Sequence, residues 1–337
     1  MNRPVVRITA APHVRADEST ARIMWSVVLS LLPVVAASAF FFGISALLVI
    51  VASVVGCLIT ERLFGERRNS LADGSAMITG LLLGLCLPAG FPLWMAFLGG
   101  VFGIGFGKII FGGLGQNVFN PALLGRAFLQ AAFPVAITTW PTRAPDFWAL
   151  RGDIFAFPLM SPSADAVTGA TPLGTLKFGD DPVATPVLDL LLGTTTGSLG
   201  ETSALLILLG GIYLAIRGHL NWHIPVSILL SVAAFSGIFY ALGLSPFSPQ
   251  FMLFSGGLML GAWYMATDMV TSPVTNKGCW IFGIGIGALV VIIRIWGGLP
   301  EGVMYAILLM NALVPFINRA TQPRKFGYEK PAAEKES

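Results

Sequence analysis

Runs of roughly twenty apolar residues recur along the chain, and they decide its solvent. Between Arg22 and Glu61 no charged residue interrupts the sequence. About twenty such residues in a helix cross the roughly 30 Å of a bilayer's hydrocarbon. Composition agrees: 11% of the 337 residues are charged and 55% hydrophobic, with a mean hydropathy of +0.79, whereas a soluble domain carries about 25% charged residues. The runs do not alternate every second residue, which excludes the pattern of a membrane β-barrel. The reading is an all-α polytopic membrane protein.

Ten spans are expected, at about 22–42, 45–63, 71–88, 91–111, 120–135, 200–217, 223–243, 249–266, 279–297 and 300–317. They divide the chain into a cytoplasmic N-terminal segment (1–21), a five-helix unit (22–135), a long loop (136–199), a second five-helix unit (200–317) and a cytoplasmic tail (318–337). No signal peptide is read in the polar first 21 residues. Charge orients the spans. With the N-terminus inside, fifteen of the twenty Lys and Arg fall on the cytoplasmic side, Lys108, Arg217 and Lys277 among them; the long loop holds three, against six Asp. Cytoplasmic segments favour Lys and Arg, so both termini are expected inside and the long loop in the periplasm.

The halves echo each other. "GLLLG" at 80–84 matches "GLMLG" at 257–261, and "FGIGFG" at 102–107 matches "FGIGIG" at 282–287, at offsets of 177 and 180. Five spans per unit turn the second copy over, which is the sign of an inverted repeat. Each half is also interrupted, at "CLPAGFP" (Cys86 to Pro92) and at "ATDMVTSP" (Ala266 to Pro273). Such breaks at membrane depth survive where the backbone is buried or lines a cavity.

"FGIGFGK" is not a phosphate loop, because no strand precedes it. Its glycines are expected to let helices approach. Cys57, Cys86 and Cys279 stand singly, without metal-ligand spacing, and are expected to be buried as small hydrophobes. In "GGLGQNVFNPALLGRAF" (Gly112 to Phe128), Asn120 before Pro121 reads as a helix cap. Asn117 and Asn120 are turn and cap residues on one reading. On the other, their amides offer donor and acceptor to a planar heterocycle. Glu61, Asp73, Arg126, Asp268 and Arg294 lie in or beside spans, where charge is costly and commonly faces a pathway or a partner. Glu61, Asp73 and Asp268 are the candidates for an ion pathway; solvation at the span ends is the alternative.

The long loop holds "DAVTGATPLG" (Asp165 to Gly174). A slim loop with Gly169 and Ala170 before Thr171 can enter another protein's active site, and it carries no base of its own to activate the hydroxyl. Together with the Gly112 to Phe128 stretch, it resembles the flavinylation motif and cytoplasmic signature of the family that includes the D subunit of Rnf complexes and the B subunit of the sodium-pumping NADH:quinone reductase. The resemblance covers essentially the whole chain. It implies FMN on Thr171 through a phosphoester, placed there by a flavin transferase: the threonine oxygen attacks a phosphate of FAD, and AMP leaves. Asp165, Gly169 and Ala170 belong to the motif; Thr168 stands where many members have Ser. A non-covalent riboflavin is implied near Asn117 and Asn120. The short N-terminal segment favours the Rnf type, in a bacterial inner membrane, with other subunits oxidising ferredoxin and reducing NAD while sodium or protons move. No complete active site is expected in this chain alone. A secondary transporter or channel, or a colourless scaffold protein, are the competing readings.

Overall fold

The computed structural model describes residues 18–65, 70–141, 146–158, 169, 171–178 and 185–323. Its described residues form helices and no strand. α1 (Thr20–Phe42) and α2 (Ile44–Phe64) meet at Gly43. There a φ of +72° and the close carbonyl of Phe147 leave no room for a side chain. α3 (Ser75–Leu85) and α4 (Leu93–Ile104) are separated by the expected first break, and α4 runs on as one π-helical turn, Gly105–Ile109. α5 (Pro121–Ala132) starts where the sequence places its cap: Asn120 Oδ1 accepts from the N–H groups of Ala122 and Leu123 at 3.0 and 3.3 Å.

Four short helices follow in the middle of the chain or border it: α6 (Pro134–Thr138), α7 (Pro172–Phe178), α8 (Val187–Leu192) and a 3-10 turn at Leu199–Thr202. The second half comprises α9 (Ala204–Ile216), α10 (His223–Ala241), α11 (Pro249–Phe254), α12 (Leu258–Leu260) with a π-helical turn Gly261–Met265, α13 (Asn276–Trp296) and α14 (Val303–Thr321).

All ten expected spans fall on helix, but α1, α2, α10, α13 and α14 alone among the described residues are long and apolar enough to cross a membrane by themselves. The others are shortened by breaks. The expected interruption at 266–273 is present, and a further one that sequence reading missed, Ser255–Gly257, divides α11 from α12. α4 packs on α2 and α13 on α10, both through small residues. A Cβ on Gly100 would lie 2.5 Å from Ser53 O, and one on Gly283 or Gly287 would overlap Ser227 or Ser231. Of the expected motifs, "FGIGIG" thus serves helix approach through Gly283 and Gly287, and "FGIGFGK" does so through Gly103 and Gly107, which meet Pro121 at the start of α5, but not through Gly105, whose Cβ would face only a Thr60 methyl at 4.0 Å. Cys57, Cys86 and Cys279 are all buried.

Candidate functional site

Two polar centres lie at opposite ends of α13, whose 21 residues span roughly 30 Å. The first, toward its N-terminus, is a cavity of about 100 Å³ lined by α1, α3, α5, α9 and the π-helical turns. Its walls bring together Asn117, Asn120 and Asp268, which sequence reading had singled out, with Lys108, His219 and Trp263. The two asparagines differ in what they have left to offer. Asn120 spends its oxygen on the α5 cap and donates from Nδ2 to Met265 O at 3.1 Å. Asn311 on α14, 1% exposed and absent from the sequence reading, holds it from behind: in the amide orientation that satisfies both ends, it accepts from Asn120 N and donates to Thr271 O, each at 3.2 Å. Asn117 has only long interactions, 3.4 Å to Phe119 O and 3.5 Å to Asp268 Oδ2, so its amide is the more available.

Asp268 accepts from Val270 N at 3.2 Å and from the Thr271 hydroxyl at 3.3 Å. Burial pushes its carboxyl above the ordinary carboxylate range against these hydrogen bonds. Trp263 is 6% exposed, and its indole N–H has no acceptor among the described residues. A planar ligand offering an acceptor would satisfy it, so the cavity suits an aromatic heterocycle by its wall chemistry and an orphaned donor.

Glu61 and Asp73 are joined at the edge of this cavity. Lys108 Nζ binds Glu61 Oε1 and Ser75 Oγ, and Ser75 Oγ donates to Asp73 Oδ1, each at 2.6 Å. Lys108 is 5% and Glu61 2% exposed, so the Lys108 counted with the cytoplasmic side is a buried charge. The π-helical turn that presents it left no clear sequence signal. Asp73 also caps α3 through Ser75 N at 2.8 Å.

The second centre lies at the C-terminal end of α13. Thr171 caps α7: its hydroxyl accepts from Gly174 N at 3.1 Å, and the residue is 6% exposed. Gly169 N donates to Trp140 O at 2.8 Å. Asp165 and Ala170 lie outside the described residues. Leu173 packs against Gly256, and Lys177 donates to the carbonyls of Ile293, Gly297 and Leu299 at the end of α13. Arg294, fully buried, donates to Met252 O and to Ser255 O, filling the carbonyls freed by the α11–α12 break. Arg126 pairs with Glu301 at 2.6 Å. Sequence reading named both arginines but neither Glu301 nor its neighbour Glu201; the "SLGE" capping box at Ser198–Glu201 was the legible signal for the latter.

This is the build of a multi-pass helical membrane protein with a cavity carrying a few polar groups at one end and buried charge at both. The chain matches the NQR2, RnfD, RnfE family over residues 7–327, and it belongs to that family. It is 44% identical to the D subunit of the proton-translocating ferredoxin:NAD(+) oxidoreductase complex of Clostridium ljungdahlii, over 97% of this chain and 98% of that protein. It is 40% identical to the D subunit of the Na(+)-translocating ferredoxin:NAD(+) oxidoreductase complex of Acetobacterium woodii, over 98% of each. The D subunit of the ion-translocating oxidoreductase complex of Stutzerimonas stutzeri shares 44% over 92% of each chain.

Proposed function

We propose that this chain serves as the D subunit of an Rnf-type complex, relaying electrons between ferredoxin and NAD chemistry on partner subunits and coupling that flow to ion movement. The near-full-length match to relatives of that name carries the reading. Those relatives are named for different ions at 44% and 40% identity, so similarity does not choose between proton and sodium. Ten crossings in two inverted halves, with both termini cytoplasmic, complete the proposed topology.

Two flavins are proposed. FMN is joined to Thr171 as a phosphoester by a separate flavin transferase, and riboflavin binds at the cavity lined by Asn117, Asn120 and Trp263. Bound flavin supplies one- and two-electron chemistry; the protein supplies position and electrostatics. In the cavity, Trp263 and Asn117 orient the ring system, Asn120 fixes the start of α5, and Lys108 places a positive charge beside it. Thr171 is capped and buried, so its modification requires α7 to lift from Gly256 and from the end of α13. Seven residues held by Leu173 and Lys177 are a small unit to release. Glu61, Asp73 and Asp268 are the proposed ion-path carboxylates; unchanged ion flux in both Asp73→Asn and Asp268→Asn would remove the two aspartates from it.

The deciding experiment is in-gel fluorescence of the denatured protein after co-expression with a flavin transferase. A fluorescent wild-type band, absent in Thr171→Ala and present in Thr171→Ser, is expected. A colourless wild type with active transferase would favour a plain transporter.

A further inference from the structure

Beneath the segment that carries Thr171, four ionisable groups from four parts of the chain converge, and their hydrogen bonds do not close. Arg126 on α5 binds Glu301, in the connection between α13 and α14, at 2.6 Å. Glu201, in the turn before α9, lies within hydrogen-bonding reach of Glu301. Arg294 Nη2 and Glu301 Cγ approach Gly256, and Glu201 Oε1 and Arg126 Nη1 approach Gly257. Glu201 Oε2 accepts from Ser198 N at 3.4 Å. Among the described residues, its Oε1 is buried with no donor, and the Nε of Arg126, a residue 9% exposed, is buried with no acceptor. Two carboxylate oxygens thus meet where neither can donate, and such a pair is stable when one proton lies between them.

We propose that Glu201 and Glu301 form a proton-exchange site, holding one shared proton next to Arg126 and Arg294. Glu301 is the charged member, fixed by Arg126; Glu201 carries the proton. With the proton bound, two guanidiniums face one carboxylate; with it released, they face two. Release therefore leaves the cluster neutral rather than stranding a charge, which separates an exchanging site from a permanently protonated acid. Cys86 at the end of α3 and Tyr305 from α14 are the other titratable groups near it, and a cavity of about 20 Å³ lined by Gln130, Ser198 and Met304, room for about one water, gives the proton somewhere to go.

The role of this site in coupling rests on the flavin reading above, but its protonation does not. The test therefore uses the full-length protein made without flavin transferase. Infrared spectra in H₂O and D₂O at neutral pH are expected to show a protonated-carboxyl stretch that shifts in D₂O and is missing from Glu201→Gln. Glu201→Gln mimics the protonated acid, so its melting temperature is expected to equal that of wild type at neutral pH. An unchanged carboxyl band in Glu201→Gln, or a large fall in its melting temperature, would overturn the proposal by showing Glu201 ionised and paired with an arginine. Absence of covalent flavin in the transferase experiment would leave this result standing and remove only its link to electron transfer.

Discussion

Replacing Lys108 by Met is expected to expose how strongly the buried charges at the cavity depend on one another. Lys108 and Glu61 are 5% and 2% exposed and 2.6 Å apart, and the ammonium also holds Ser75. Methionine nearly preserves the side chain's length but takes the ammonium away from the buried Glu61 carboxyl. Breaking one member of such a pair costs about 3–5 kcal/mol, because the remaining charge must stay desolvated or take up a proton. At about 1.4 kcal/mol per decade, that is roughly two to four decades in the folding constant. The double variant Lys108→Met/Glu61→Met removes both charges, so it is expected to recover all but about 1–2 kcal/mol, since apolar replacement of a whole buried pair is often neutral or better. Equilibrium unfolding in mixed dodecylmaltoside–SDS micelles, run as a double-mutant cycle at neutral pH, measures this. A single-variant loss below about 1 kcal/mol, or a double variant that costs the sum of both singles, would refute the argument that these two charges are held by each other.

Three further outcomes follow from the same geometry. Gly100→Ala is expected to destabilise by about 1–3 kcal/mol, because the new methyl meets the backbone of α2; Gly105→Ala, whose nearest neighbour is a Thr60 methyl at 4.0 Å, should melt close to wild type in a thermal scan. Asp268 has its folded-state proton affinity raised above the ordinary 3.8 by burial. The unfolded chain therefore ionises first, and wild type loses stability as pH rises through that window. Asp268→Asn removes the loss, so its melting temperature relative to wild type should climb from acid to neutral pH. Lys177→Met frees three carbonyls at the end of α13 and loosens α7; a time course of flavin incorporation should then show Thr171 modified faster, and an equal or slower rate would mean that α7 does not gate access.

Features written into local sequence were legible. Asn120–Pro121 announces the start of α5, because a capping amide and a fixed φ act within one turn. The break at 86–92 and the long one at 266–273 carry proline and polar residues, and the glycine motifs mark close helix approach. What escaped was set by partners distant in the chain. Lys108 looks like a charge at a span end until a π-helical turn rotates it toward Glu61, 47 residues away. Glu301 acquires meaning only beside Arg126, 175 residues earlier. Asn311 is an unremarkable polar residue in α14 until it meets the backbone of Asn120. The Ser255–Gly257 break holds no proline, so an apolar run conceals it.

The buried polar residues divide by what they satisfy, and the division separates scaffold from working site. A broken helix in a membrane frees carbonyls that must find donors inside the protein. Arg294 fills those of Met252 and Ser255, Lys177 fills those at the end of α13, and Asn120 fills that of Met265. These side chains are the consequence of the breaks, and removing any one would leave backbone unpaired. Lys108 with Glu61, and Arg126 with Glu301 and Glu201, answer no such need, because their strong partners are other side chains. Apolar residues of similar volume would fill both places with little loss of stability, and ionisable groups are expensive at that depth. Charge that the backbone does not require, sited beside the cavity at one end of α13 and beneath Thr171 at the other, is therefore where ion movement is to be sought.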